Sequence, residues 1–134
     1  MGLDQYAYAV MPNPENTDFS IAWADQSTGM VKQIASWRKH PDLQGWMEAL
    51  WSKKMALQGV ALEAGTVFNC EPLRLSYDDL LELRRDVEAE VLPHTEDFFF
   101  GESLPEDKET TLKFVEDALK AMSQDMEIYY DSWW

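Results

Sequence analysis

The sequence predicts an α+β protein with an antiparallel or mixed sheet of about five strands, and about three helices packed mainly on one face. Alternating side-chain patterns come first and helical patterns follow, with no regular strand–helix–strand alternation. The 134 residues, 46% of them hydrophobic, fit a single domain spanning 1–134. We therefore expect the order β-β-β-α-β-α-α-β.

The first three predicted elements are strands. Residues 3–11 alternate between two faces, and the proline-containing segment 12–16 ends this strand. Residues 19–23 alternate again and are followed by turn chemistry. Residues 30–37 predict a third strand that returns against the second as a hairpin.

Three helices and two further strands follow. Pro41 suits the first turn of a helix whose bulky apolar face recurs at helical spacing. That face comprises Leu43, Trp46, Met47, Leu50 and Trp51.

Residues 66–75 predict a strand in which Pro72 indicates a bulge or an edge. Ser76 is expected to cap a second helix that ends at Leu92, before Pro93. Ser103 has the spacing of a capping box for a third helix, and residues 126–134 predict a terminal strand.

The formal net charge of −14 is unevenly distributed. Residues 1–60 carry five basic and six acidic residues, whereas residues 61–134 carry six and nineteen. The acids fit solvated helix faces, or a polyanion mimic that competes for a nucleic-acid-binding partner. Strong acidity argues against coating nucleic acid or an anionic membrane with the whole surface. A single cysteine, with no secretory or membrane-spanning pattern, predicts a cytoplasmic location.

The segment Trp37, Arg38, Lys39 and His40 combines an indole, a guanidinium, an ammonium and an imidazole at a predicted strand–helix junction. Such a set can hold a phosphate or carboxylate and stack an aromatic ring. The alternative is that Arg38 and Lys39 pair with the acidic half of the chain while Trp37 lies in the core. Both interpretations stay open at this point.

Two aromatic clusters extend this candidate site. Phe98, Phe99 and Phe100 cannot all face one core from a single element, so they predict either a loop that plugs the sheet edge or a ligand or subunit contact. Near the chain end, Tyr129, Tyr130, Trp133 and Trp134 fit core packing, or base stacking and an oligomer contact.

Enzyme motifs match poorly. His40 and His94 are the only histidines and Cys70 is alone, so neither a zinc site nor another metal or cofactor site is expected. A nucleophilic Cys70 acting with a histidine stays open as a small-hydrolase alternative, against an inert thiol. We assign no catalytic residue.

Five short motifs occur in a recognisable order: residues 2–8 at the start, residues 37–40, residues 68–70, residues 92–101 with the Phe-Phe-Phe-Gly run, and residues 130–134. Together they resemble a family of small accessory proteins of tailed phages and cyanophages. Some members carry the label phosphoglycerate kinase, but this short sequence contains no nucleotide-binding domain of that enzyme. Gln5 and Asp97 depart from the family pattern. The resemblance implies a viral protein in a host cytoplasm that binds something belonging to the host.

These observations together predict a non-catalytic protein, expected to be a homo-oligomer, that binds a small anionic ligand such as a nucleotide or signalling nucleotide and counters or redirects a host pathway. The candidate ligand-binding residues are Trp37, Arg38, Lys39, His40, Asn69, Phe98, Phe99, Phe100, Trp133 and Trp134. The first alternative is an acidic inhibitor that binds a host protein, and the second is the small hydrolase.

Overall fold

The structure, a computed structural model, describes residues 2–22, 31–60, 67–95 and 103–134. These residues form seven elements in the order β1 (Asp4–Val10), β2 (Val31–Arg38), α1 (Pro41–Leu57), β3 (Leu73–Leu75), α2 (Tyr77–Glu88), α3 (Pro105–Met122) and β4 (Glu127–Trp133). The strands form one antiparallel sheet in the order β2-β1-β4-β3. The α+β class is confirmed, and the described residues contain four strands in this sheet where the sequence predicted about five.

The central strands β1 and β4 show the alternation that the sequence predicts. Gln5, Ala7 and Ala9 are buried on one side of the sheet, while Tyr6 and Tyr8 lie on the other. We call the first side the core face and the second the open face. The register pairs Ala7 with Tyr130 and Tyr8 with Tyr129, so alternate residues of β4 join the same two faces.

All three helices contribute to the core that covers the core face. Helix α3 contacts strands β1, β2 and β4. The largest side chains of this core are buried and come from different parts of the chain: Trp51, Phe68, Phe114 and Tyr130. Fully burying one such side chain stabilises the fold by about 2 kcal/mol. The helices therefore pack on one face, as the sequence predicts.

Part of the open face is covered by residues 11–22. Val10, Val31 and Tyr129 form a second apolar cluster there, and Ile21 packs against it. The hydroxyl of Tyr129 donates to the backbone oxygen of Thr17, and burial raises the pKa of Tyr129 to about 12. Residues 11–22 cover only one end of the open face. Among the described residues, no segment covers the other end, around Asp4.

The predicted second strand is wrong over residues 19–22, and residue 23 lies outside the described residues. The backbone forms only an isolated bridge between Thr17 and Ser20. The backbone N–H of Ala22 donates to the Asn16 side chain at 2.8 Å, so a side chain replaces a strand partner. The third predicted strand does form as β2, but it pairs with β1 and not as the predicted hairpin.

Strand β3 is much shorter than the predicted strand over residues 66–75. Only Leu73–Leu75 pairs with β4, and residue 66 lies outside the described residues. Cys70 has a left-handed φ of 58°, which interrupts an extended chain. Pro72 carries no N–H for a ladder. Residues 67–72 are consequently irregular.

Helix α2 begins as predicted, with Ser76 as its N-cap, and the structure shows that this cap is a capping box. The backbone N–H of Asp79 donates to Ser76 Oγ at 3.1 Å, and the backbone N–H of Ser76 donates to Asp79 Oδ2 at 2.9 Å. The predicted box at Ser103 is wrong. Helix α3 is capped at Leu104, whose N–H donates to Asp107 Oδ2 at 2.8 Å.

All three helices end in the same hydrogen-bonded motif, in which a residue with positive φ reverses the chain. These residues are Gly59, Glu90 and Asp125, with φ values of 73°, 57° and 65°. In each case the following N–H reaches back five residues to a helical carbonyl: Val60 to Met55, Val91 to Asp86, and Met126 to Ala121. Helix α2 therefore ends at Glu88, before the predicted end at Leu92.

Replacing Glu90 with glycine should raise the free energy of unfolding by about 0.5–1 kcal/mol, because glycine adopts positive φ without the steric cost of a Cβ. The substitution also removes the ion pair between Glu90 and Lys108, which is exposed and contributes little to the free energy of unfolding. Urea denaturation measures the change. Glu82→Gly, in the interior of helix α2, is the control and should destabilise by about 1 kcal/mol. A Glu90→Gly variant less stable than the wild type would contradict this account of the helix end.

Among the described residues, no helix is both long and apolar enough to cross a bilayer.

Candidate functional site

The structure separates the four neighbouring residues 37–40. Trp37 is 5% exposed and lies on the core face, where its Nε1 donates to Thr111 Oγ1 at 3.0 Å. Its ring meets that of Phe114 edge-on, with centroids 5.2 Å apart. Trp37 is a core residue and cannot stack on a ligand. Because successive side chains of a strand point to opposite faces, Arg38 necessarily lies on the open face.

His40 is also buried, with 4% of its surface exposed. Its Nδ1 lies 2.7 Å from Ser103 Oγ and 3.7 Å from Asp107 Oδ2, while Ser103 Oγ accepts the backbone N–H of Asp42 at 3.2 Å. Burial lowers the pKa of His40, although Asp107 and Asp42 oppose that shift. His40 therefore links the starts of α1 and α3 through Ser103. Because its pKa is lowered and its side chain is buried, it does not offer a positive charge to an anionic ligand.

Lys39 occupies the turn between β2 and α1. Its φ is 58°, and its backbone N–H donates to the carbonyl of Leu3 at 2.8 Å. Its side chain is exposed, and Arg38 beside it has a side chain that is 77% exposed. Of the four residues, these two cations are the ones available to a ligand.

A row of three side chains crosses the uncovered end of the open face. Strand pairing places Arg38 and Trp133 on either side of Asp4, in adjacent strands of the sheet. We call Arg38, Asp4 and Trp133 the cross-strand row. Arg38 Nε lies 4.0 Å from Asp4 Oδ1, a loose contact that leaves guanidinium donors unused. Trp133 is 62% exposed, so its indole is open to solvent.

A second row lies next to the first and contains Ser36, Tyr6 and Asp131. The rings of Tyr6 and Tyr8 stack with centroids 6.4 Å apart. Burial raises the pKa of Asp131, and the nearby Glu71 raises it further. Hydroxyl and carboxyl groups thus stand beside the cross-strand row as hydrogen-bonding partners.

Asn69 holds the end of the chain. Its Nδ2 donates to the backbone oxygen of Trp134 at 2.8 Å, and its Oδ1 accepts the backbone N–H of Trp134 at 3.0 Å. Trp134 Nε1 donates to the backbone oxygen of Phe68 at 3.1 Å. The Asn69 side chain therefore pairs with the backbone of Trp134 as a neighbouring strand would. These two bonds occupy the Asn69 amide and help to position Trp133, so Asn69 is a positioning residue and not a ligand contact.

The remaining predicted aromatic residues divide between the core and the part of the chain that is not described. Tyr130 is fully buried, and burial raises its pKa. Phe98, Phe99 and Phe100 lie outside the described residues, so the predicted role of this run stays a prediction.

The hydrolase alternative depends on Cys70 or His94. Cys70 is exposed. Partial desolvation of its thiol and the negative charges of Asp131 and Glu71 nevertheless raise the pKa of that thiol. A raised pKa disfavours the thiolate that attacks substrates. His94 is exposed and lies 3.9 Å from Asp42. These observations weigh against Cys70 as a nucleophile.

Two residues of the open face, Asp4 and Tyr6, were missed by the sequence reasoning. The alternation of residues 3–11 predicts that they share a face. It contains no information on which strands flank β1 or in which register, and these determine that Arg38 and Trp133 are their neighbours.

Within the described part of the chain, no three histidine, cysteine or acidic side chains converge as a metal site. Comparison with protein-family models, curated proteins and solved structures gives no match.

Proposed function

We propose that this protein binds a small anionic ligand with an aromatic ring, a nucleotide or signalling nucleotide, and does not convert it. The observation that carries the proposal is the cross-strand row, in which an exposed guanidinium and an exposed indole flank a carboxylate. Holding such a ligand would counter or redirect a host pathway, the context implied by the resemblance to phage accessory proteins.

The order of groups in the row matches the order of groups in a nucleotide. Neighbouring strands lie about 5 Å apart, so the backbones at Arg38 and Trp133 are separated by about 10 Å. The base would stack on Trp133, the sugar hydroxyls would donate to Asp4, and the phosphate would accept from Arg38. Lys39 adds a second exposed positive charge at this end of the sheet.

The net charge of −14 does not prevent local anion binding. At 0.15 M salt the Debye length is about 8 Å, so acids on exposed faces of α2 and α3 are largely screened at the open face. The charge that acts on the ligand is then that of Arg38 and Lys39, opposed by Asp4 and by Asp131 in the neighbouring row.

Calorimetric titration tests this function with mononucleotides, nucleoside triphosphates and cyclic dinucleotides, each compared with its parent nucleoside. We expect Trp133→Ala and Arg38→Ala each to weaken nucleotide binding about tenfold, equivalent to about 1.4 kcal/mol. Arg38→Ala should also reduce the preference for nucleotide over nucleoside, because that preference depends on the phosphate contact.

The matched controls are two exposed residues of α2, Arg84→Ala and Tyr77→Ala, which should bind as the wild type does. If no nucleotide binds at about 100 μM, a Kd corresponding to about −5.5 kcal/mol, the proposal is wrong. It is equally wrong if both row variants bind with unchanged affinity.

A second candidate function, an acidic inhibitor that binds a basic host protein, is favoured by a different surface. Helices α2 and α3 pack side by side and expose several acids: Asp78, Glu82, Glu88, Glu106, Glu109 and Glu116. Association through this surface would weaken steeply with salt and would not change in Arg38→Ala or Trp133→Ala.

A further inference from the structure

A cleft of about 480 Å³ lies between the edge strand β2 and the end of helix α3. It is far from the cross-strand row. Lys32, on its rim, pairs with Ala9 near one end of β1, whereas Arg38 pairs with Asp4 at the other. Five residues of strand separate the two positions by about 17 Å. A ligand in the cleft would therefore not touch Trp133.

The floor of the cleft is apolar and the rim is polar. Ala9, Ile34, Ala121 and Met126 form the floor. Ala9 and Ala121 are small, and the register shift beside Ala7 lets strand β2 diverge from regular pairing. The chain reversal at Asp125 brings Met126 back against Ala121, through a backbone hydrogen bond of 3.2 Å. Local backbone geometry thus shapes a concave site.

Two lysines stand on opposite walls of this cleft. Lys32 lies on the helix side of β2, because it pairs with Ala9, which is on the core face. Lys120 lies in the last turn of α3. Within the described residues, neither lysine has an ion pair or a side-chain hydrogen bond. By contrast, Lys54 contacts Asp79 at 2.7 Å and Arg74 contacts Glu127 at 2.7 Å.

Asp117, the acidic residue that lines the cleft, is engaged by a neighbouring lysine, and the nearby Asp125 is exposed to solvent. Asp117 accepts a hydrogen bond from Lys113 at 3.1 Å. The carbonyls that end helix α3 receive the N–H groups of Ser123, Gln124, Asp125 and Met126, which reduces their partial negative charge. Gln33 and Gln124 add amide donors to the rim. The site therefore offers two free ammonium groups and two amides above an apolar floor.

We propose that this cleft binds a phosphomonoester with a small nonpolar substituent. Lys32 and Lys120 contact the doubly charged phosphate, and the substituent lies on the floor between Ile34 and Met126. Two ammonium groups on opposite walls attract a doubly charged phosphate more strongly than they attract a singly charged carboxylate. The volume falls in the range typical of small-molecule sites. This site is independent of the nucleotide site proposed above.

Amide NMR titration of the full chain with butyl phosphate, inorganic phosphate and butanol tests the proposal. Butyl phosphate should bind more tightly than either fragment and should shift the amides of residues 32–34 and of the end of α3. Lys32→Gln and Lys120→Gln should each weaken binding about three- to fivefold, as expected for exposed charge pairs, and the double variant should bind no better than butanol does.

Lys53→Gln, an exposed lysine of α1, is the matched control and should leave binding unchanged. Arg38→Ala and Trp133→Ala should also leave it unchanged, which separates this site from the cross-strand row. Absence of shifts at these two segments at about 5 mM butyl phosphate overturns the proposal. Unchanged affinity in the double lysine variant overturns it as well.

Discussion

Replacing Gln5 with leucine should lower the free energy of unfolding by about 3 kcal/mol, because a buried backbone N–H loses its partner and two further buried hydrogen bonds are lost. Gln5 is fully buried on the core face of β1. Its Nε2 donates to the backbone oxygen of His40 and to the Tyr130 hydroxyl, both at 2.9 Å, and its Oε1 accepts the backbone N–H of His40 at 2.9 Å. One amide thus satisfies both backbone groups of the residue that precedes helix α1.

The network extends beyond Gln5, which explains the expected magnitude. The Tyr130 hydroxyl donates to Gln44 Oε1, and Gln44 Nε2 donates to the backbone oxygen of Phe68 at 3.0 Å. Leucine can fill the volume of Gln5 but leaves the buried N–H of His40 unpaired, which costs about 1–3 kcal/mol. The C=O of His40 loses one of its two donors and keeps the N–H of Gln44 at 3.2 Å, and the Tyr130 hydroxyl loses the donor that Gln5 supplies. Against a typical total stability of about 5–15 kcal/mol, this is a large loss.

Urea denaturation of Gln5→Leu, Tyr130→Phe and Gln33→Leu measures this effect. Tyr130→Phe should cost about 1–2 kcal/mol, less than Gln5→Leu, because Gln5 keeps both of its bonds to His40 and only the buried Gln44 Oε1 loses its donor. Gln33 is exposed on β2, so Gln33→Leu should change stability by less than about 0.5 kcal/mol. A cost below about 1 kcal/mol for Gln5→Leu would mean that water or a rearranged chain satisfies the His40 backbone.

Trp37→Ala should destabilise the protein by about 3–5 kcal/mol, as truncation of a buried aromatic side chain does. Its ring packs against Phe114 and Tyr130, and its Nε1 donates to Thr111. This expectation distinguishes a core residue from a ligand-binding one, because an exposed stacking residue can be truncated at little cost. Thermal and urea denaturation give the change in stability.

Trp37→Phe and Trp133→Ala complete that comparison. Trp37→Phe keeps an aromatic ring and should cost about 1–2 kcal/mol, so a measurable folded state survives even if the alanine variant does not fold. Trp133→Ala should change stability by less than about 0.5 kcal/mol, since the indole is largely exposed. A Trp37→Ala variant as stable as the wild type would refute the placement of Trp37 in the core.

The local features of this fold were predictable because they depend on nearby residues. The alternation of residues 3–11 identified β1, and Ser76 with Asp79 identified the start of α2. Failures occurred where a side-chain contact replaced the partner that the local pattern predicts. Ser103 bonds to His40 and to the start of α1 instead of capping α3. The Asn16 side chain takes the N–H of Ala22, which a strand partner would otherwise bind.

The candidate site illustrates the same distinction. The sequence alone determines the α+β class and the uneven charge, because these follow from composition and from the periodicity of apolar side chains. Only the tertiary structure determines that Trp37 faces the helices, that Arg38 lies in a row with Asp4 and Trp133, and that His40 is buried. The physical reason is that strand register and helix packing depend on contacts between residues far apart in the chain, which local periodicity does not encode.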